Sequence, residues 1–317
     1  MTALPVFDNR LTRLLGVDIP ISNAPMGGVA NPALVAAMAQ AGAIGLVPGS
    51  LGGVNARAHI QTVRELTSRP FGVNIPISYT DPAIVDTLLE LGVGLITTST
   101  GPVASFTQRL KDAGVIVFHV VTSLETAQRA ADAGVDGLIV EGSEGAGLRG
   151  QISTMVLLPL ITSRVDLPVI AAGGIADGTS MAAAFALGAE GVQMGTRMIA
   201  SAESAVHRNF KEAVVSAAET DTMLLNGHTG APLRVLRTKS TEQYEFATEG
   251  DAFKELVPSV PRLYQQGEMD VGFACVGQVS GRIAEVLPVA EIIRRTVQEF
   301  GSVVERLARD HTPARVR

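Results

Sequence analysis

The chain contains one cysteine, Cys275, which excludes an internal disulfide framework and a zinc site assembled from several thiolates. A reducing compartment suits such a chain. Clustered positive charge is also missing. Lys and Arg number 25 against 31 Asp and Glu, for a net charge of −6, and the basic residues of the tail, Arg309, Arg315 and Arg317, are scattered. Phosphate backbones are bound by clustered cations, so nucleic acid is not expected as a partner. Met1 to Arg10 has no basic-then-apolar leader, and the most apolar stretch, Val29 to Pro48, is cut by Asn31, Pro32 and Gln40. The expectation is a cytoplasmic protein with no membrane partner. No His and carboxylate cluster has metal-ligand spacing, and no Ser-His-Asp elbow occurs, so no metal is expected.

What is present is a chain of 317 residues with 46% hydrophobic and 18% charged residues, a size and composition that exclude disorder, collagen and coiled coil and fit one α/β barrel. Short aliphatic runs alternate with longer amphipathic, Ala-rich segments. The runs at Ile19 to Ala24, Ile44 to Pro48, Phe71 to Ile75, Gly94 to Thr98, Val115 to Val121, Gly137 to Glu141, Pro168 to Ala172 and Gly191 to Gly195 read as eight strands. The phrases AGAIG, LGVGL, AGVIV, AGVDG and LGAEG place Gly where a helix ends before the next strand. Eight such units without a long mid-chain crossover predict a (β/α)8 TIM barrel rather than an open sheet. The barrel is assigned to residues 1–200, an insertion or cap to 201–275, with a helix over Ala205 to Ala218, and helices packing on the barrel to 276–317, the first from Cys275 to Leu287 and the second from Val289 to Leu307.

Barrel sites form at the carboxyl ends of the strands. After the seventh strand comes AAGGIADG and after the eighth MGTRMIA. Glycines there let backbone N–H groups approach an anion, so Gly173, Gly174, Gly195 and Thr196 are phosphate-cradling candidates, tight turns being the alternative. GAGLRG, Gly145 to Gly150, matches a dinucleotide pattern, but the next strand ends in Ala171, Ala172 and Gly173 instead of an acid, so the segment reads as a glycine-rich barrel loop. Asn74 is an amide inside an apolar strand, suited to the edge of a flat heteroaromatic ring, with Met26, Gly27 and Gly28 able to support its face; a barrel-lining amide satisfied by a neighbour is the alternative. His59, His119, His207 and His311 read as structural. His228, in the loop LNGHTG, is kept as a candidate site residue. The strands contain no Lys, which disfavours an isomerase or aldolase.

Taken in order, PISNAPMGG, RPFGVNIP, DGLIVEGSEGAGLRG, LPVIAAGGIADG, GAEGVQMGTRMIAS and VGQVSG resemble the nitronate monooxygenases, formerly 2-nitropropane dioxygenases, together with the related flavin-dependent enoyl-acyl-carrier-protein reductases. The resemblance spans nearly the whole chain. It implies a non-covalent FMN with Ala24, Pro25 and Met26 beside the isoalloxazine, Asn74 and Glu141 near its polar edge, and Gly173, Gly174, Gly195 and Thr196 on the phosphate, with Gly147 and Ala172 in the same cofactor set. The flavin would then carry the electron transfer.

One position departs from the family. Where the loop after the sixth strand typically ends Gly-Gly-His-x-Gly, with a catalytic histidine, this chain has Ala146, Gly147, Leu148, Arg149 and Gly150. Leucine moves no proton, so neutral nitroalkanes are expected to be poor substrates, while an already anionic nitronate needs no base. The resemblance therefore implies FMN-dependent oxidation of alkyl nitronates, with Arg149 either attracting the anion or acting as a solvated loop charge. Its alternative is redox of a carbon-carbon double bond in an acyl thioester, with NADH or NADPH as the candidate electron donor and Leu148 shaping the acyl pocket. The catalytic residues stay unassigned, and the apolar helices after Cys275 offer either a homodimer surface or a lid.

Overall fold

The computed structural model describes residues 6–49, 55–103, 106–148 and 150–311. In chain order it begins with α1 (Arg10–Leu15), β1 (Ile21–Asn23), α2 (Pro32–Gln40), β2 (Gly45–Pro48), α3 (Ala56–Leu66), β3 (Phe71–Pro76), α4 (Ile84–Glu90) and β4 (Leu95–Ser99). There follow α5 (Thr107–Asp112), β5 (Ile116–Val121), α6 (Leu124–Asp132), β6 (Gly137–Glu141), a short β7 (Gly147–Leu148), α7 (Thr154–Thr162), β8 (Val169–Ala172), α8 (Gly178–Ala186), β9 (Gly191–Met194) and α9 (Thr196–Ile199). Eight strands run parallel in the order β1-β9-β8-β6-β5-β4-β3-β2, and a parallel bridge from Ser22 to Ile44 joins the two ends. This is the expected (β/α)8 barrel, and each strand begins and ends within two residues of its expected bounds.

The local chemistry explains the regularity. Asn31, Asn55, Ser123 and Asp177 cap α2, α3, α6 and α8 through their side chains, satisfying backbone donors that a helix start leaves unpaired. At the other end Gly134 takes φ +81°, and Gly42, Gly92, Gly114 and Gly188 likewise have positive φ, the left-handed turn that stops a helix and feeds the next strand. Successive strand residues face opposite sides. One set, including Leu46, Leu95, Phe118, Ile139 and Ile170, fills the barrel with Leu11 and Leu15 of α1, and the other packs beneath the helices. Helix α1 is fixed at the base of β9 by Asn9, whose Nδ2 donates to Glu190 O at 2.7 Å.

Beyond α9 the chain forms a cap: α10 (Arg208–Val215), β10 (Thr222–Leu225), β11 (Leu233–Leu236), α11 (Lys239–Glu242), α12 (Ala252–Leu256), a π-helical turn at Arg262–Gln266 and a 3-10 turn at Gln278–Arg282. Strand β11 pairs antiparallel with β10 on one side and with β7 on the other, so the cap is stitched to the loop after β6. Two expectations need correction. The helix expected over Ala205 to Ala218 is confined to α10. The helix expected over Cys275 to Leu287 does not form: Gly277 is extended, and a side chain there would sit 2.8 Å from Glu144 O, so this segment lies flat on the barrel loops with one 3-10 turn.

Helix α13 (Val289–Asp310) packs against α8 and α2. It thereby occupies the place between the helices flanking β9 and β1, completing the ring around the barrel. Phe300 meets Phe7 and Phe185 with ring centroids 5.4 and 5.1 Å away, and Glu299 accepts from Gly178 N at 2.9 Å and Thr179 Oγ1 at 2.7 Å. A Cβ on Gly178 would stand 2.3 Å from Phe300 N and 2.4 Å from Thr296 O. Both are backbone atoms that cannot step aside, so Gly178→Ala is expected to cost about 1–3 kcal/mol by forcing α13 away, read as a lower urea midpoint at unchanged flavin content.

Candidate functional site

The carboxyl ends of the barrel strands open into a cavity of about 930 Å³ roofed by the cap, near the upper end of the roughly 300–1,000 Å³ usual for ligand sites. Every residue expected in the cofactor set lines it: Ala24, Pro25 and Met26 after β1, Asn74 on β3, Glu141 at the end of β6, Gly147 on β7, Ala172, Gly173 and Gly174 after β8, and Gly195 and Thr196 after β9. Leu148 lines it too. His228 does not belong to this wall. Its ring nitrogens lie 3.0 Å from Ala247 O and 3.1 Å from Gly250 O, which tie together a cap loop. Arg149 lies outside the described residues.

The anion cradle is a matter of backbone shape. Gly173 and Gly174 have φ of +82° and +83°, and a Cβ on Gly173 would come within 2.8 Å of Gly142 O. Only glycine allows this path without strain. Thr154 Oγ1 donates to Gly173 O at 2.8 Å, and the Glu144 carboxylate accepts from Thr154 N at 3.0 and 3.1 Å, so one hydrogen-bonded unit holds the loops after β6 and β8. Gly277 N donates to Thr196 Oγ1 at 2.9 Å, and Gln278 N to Glu144 O at 3.0 Å. Gly277, which stands in the phrase VGQVSG without an expected role of its own, thus belongs to the rim. These residues fit a flavin phosphate: glycines let a ligand come close to backbone donors, and the nearby Glu144 carboxylate is turned onto Thr154 N and Oγ1.

Asn74 is held for a polar edge. Thr97 Oγ1 donates to its Oδ1 at 2.9 Å, and its Nδ2 donates to Ser99 Oγ at 3.2 Å. The amide is buried and fixed in orientation by two neighbours, with one N–H and one lone pair left for a ligand. Gln193, on β9, also lines the cavity and donates to Ser22 Oγ at 3.3 Å; a polar residue inside an apolar strand was the signal for it. His119 touches the same cavity, but its neighbours Phe118 and Val120 face the barrel interior. It therefore points outward, with Nδ1 2.7 Å from Thr98 Oγ1.

The roof is apolar. Leu233, Phe253, Val260, Phe273 and Val279 come from the cap, as do Tyr264 and Cys275. Cys275 N donates to Tyr264 Oη at 3.3 Å. Burial pushes the Cys275 thiol up to about 12 and the Tyr264 phenol well above its ordinary value, so both are neutral acids. Among the described residues no group of three His, Cys, Asp or Glu could hold a metal, and no helix is long and apolar enough to cross a membrane.

A barrel with a glycine cradle after β8 and β9, a fixed amide at the opposite side and an apolar roof defines a flavin-dependent oxidoreductase. The nitronate monooxygenase family model matches residues 8–85 and 80–299. The chain belongs to the nitronate monooxygenase family. A solved structure titled FabK from Thermotoga maritima is 40% identical, covers 95% of this chain and 98% of its own, and superposes with a TM-score of 0.88. A nitroalkane oxidase from Streptomyces ansochromogenes is 28% identical over 94% of this chain and all of its own, with a TM-score of 0.82. A (3aS,4S,5R,7aS)-5-hydroxy-7a-methyl-1-oxo-octahydro-1H-indene-4-carboxyl-CoA dehydrogenase of Rhodococcus jostii (strain RHA1) is 38% identical over 74% of this chain and 67% of its own.

Two outcomes follow from this geometry. Gly173→Ala is expected to weaken flavin binding at least ~10-fold, since a left-handed φ and a close backbone contact are both lost; fluorescence titration of the apoprotein measures it. Burial lowers the His119 pKa from 6.5 to about 4. The unfolded chain thus binds this proton first, and stability present above pH 6.5 is lost as the pH falls towards 4, by about 3 kcal/mol in full. Urea titrations of His119→Gln should therefore lose about 2–3 kcal/mol less than the parent between pH 7 and 4.5.

Proposed function

We propose that this protein binds FMN and reduces the carbon-carbon double bond of an acyl thioester, with NADH or NADPH as electron donor. The observation that carries the substrate reading is Leu148. At the position where the family pattern has a histidine, this side chain joins the apolar cluster of Phe253, Phe273 and Cys275, so the cavity beside the cradle presents hydrocarbon and not a base. An acyl chain gains from that surface at roughly 25 cal/mol per Å² buried, and a neutral nitroalkane gains no proton acceptor from it. The 40% identity to FabK and the 38% identity to a dehydrogenase of a carboxyl-CoA ester support the same reading.

FMN is favoured over a longer flavin because the turn at Gly277 and Gln278 closes on Thr196 and Glu144 at the cradle, which suits a terminal phosphate. When bound, the flavin supplies the hydride or electron transfer. The chain's own part is to hold that group with Gly173, Gly174, Gly195 and Thr196, to orient its edge with Asn74 and Glu141, and to keep water from the reacting carbons with Leu148 and the cap. We place the protein in the cytoplasm, acting on small-molecule or acyl-thioester substrates without nucleic-acid or membrane partners. Without a helix at 275–287, the exposed apolar residues left for a homodimer after Cys275 are Val286 and, on the outer side of α13, Val304 and Leu307.

Nitronate oxidation is the second reading. The family match favours it, and an anionic nitronate enters without needing the base that Leu148 replaces. Anaerobic mixing separates the two. Bleaching of the flavin by NADH or NADPH, then recovery on adding a 2-enoyl thioester, is the expected result; bleaching by propyl-2-nitronate and by no pyridine nucleotide transfers the assignment to nitronate oxidation. Leu148→His should raise the rate of bleaching by neutral 2-nitropropane by about 100-fold or more, the usual scale of a positioned base.

A further inference from the structure

We propose that Tyr264 is the proton donor of the enoyl-thioester reaction, its hydroxyl taking up at the substrate the acid role that no side chain at 148 can fill. This rests on the thioester reading above. Tyr264 sits in the π-helical turn at Arg262–Gln266, a local distortion frequent at functional sites. A Cβ on Gly28 would lie 3.2 Å from its ring carbon Cδ2, and a Cβ on Gly147 would lie 3.9 Å from Cys275 Sγ. The Tyr264–Cys275 pair therefore spans the gap between the segment after β1, which carries Met26, and the strand that carries Leu148. Phe210 backs the ring at 5.0 Å, and His207 N donates to the Tyr264 backbone O at 2.7 Å, which holds the turn that carries it.

Of the other titratable groups on the wall, the Cys275 thiol shares a side-chain hydrogen bond with Tyr264 itself, and the rest are engaged elsewhere or displaced. Glu144 caps Thr154, Arg129 pairs with Glu125, His119 faces out of the barrel onto Thr98, and Tyr79 is half exposed at the rim. In the reading above, Glu141 is taken up by the polar edge of the flavin ring.

Hydride originating from the pyridine nucleotide forms a C–H bond at the β-carbon of the substrate. The double-bond electron pair moves onto the α-carbon, and the Tyr264 O–H bond breaks to give that carbon its proton. The phenolate left behind is stabilised by the N–H of Cys275, 3.3 Å from Oη, and regains a proton from solvent once product leaves.

The test compares wild type with Tyr264→Phe, which keeps the ring against Phe210 and Gly28. Flavin reduction by NADPH and the affinity for butyryl-CoA, measured by calorimetry, should stay within about 2-fold, while reoxidation by crotonyl-CoA slows about 100-fold or more. In D2O the wild-type product should carry one α-deuterium of single configuration, and the variant a mixture. Reoxidation of Tyr264→Phe at the wild-type rate, or loss of the step in Cys275→Ser with Tyr264→Phe unaffected, overturns the proton donor alone. Wild-type reduced flavin that crotonyl-CoA fails to reoxidise overturns the thioester reading, and the donor with it.

Discussion

Closure of the parallel ladder is the constraint on which the rest depends. Once the bridge from Ser22 to Ile44 joins the first and second strands and β1 pairs with β9, all eight strands end on one rim, and loops far apart in sequence become neighbours. Gly173, Gly195 and Asn74 share a cavity for that reason. Closure also requires a filled interior, which Phe118 and its neighbours provide with α1 below. A sheet left open would separate the glycine cradle from the amide that faces it.

The cap depends on this rim in turn. Its hairpin has one edge pairing with two residues of the loop after β6, so the apolar roof is registered on the same backbone that carries Gly147 and Leu148. The glycine loops and the apolar roof are therefore built from different parts of the chain and meet at one short ladder. The glycine loops thus line the barrel side of the cavity and the apolar residues its cap side.

Much of the barrel was legible because its signals are local. Aliphatic runs, capping Asn and Ser, and glycines such as Gly134 each act within one turn of chain. That Gly173, Gly174, Gly195, Thr196 and Asn74 share one cavity was legible because strand ends meet once the barrel is accepted, while Ala24, Pro25, Glu141, Gly147 and Ala172 came with the family resemblance. The hairpin was not: Thr222 to Leu225 pairs only with Leu233 to Leu236, and that second strand is fixed on Gly147 and Leu148, a contact between distant segments. The amphipathic run after Cys275 misled for a related reason, since Gly277 is drawn against Glu144 by tertiary packing. His119 and Tyr264 were unreadable as cavity residues because strand position alone does not tell which face a roofed cavity reaches, and a cap residue has no strand to place it.

Helix α13 fills the last place in the ring, between α8 and α2, although the whole cap separates it from β9 in sequence. During synthesis the barrel's outer seam thus stays uncovered while the cap emerges, and the apolar faces of α2 and α8 wait for residues 289–310. A chain stopped within the cap would contain Ala24, Asn74, Gly173, Gly195 and the other cavity-lining residues of the barrel and still expose that seam. The strands whose ends line the cavity thus come early in the chain, and the helix that covers the barrel's flank comes late.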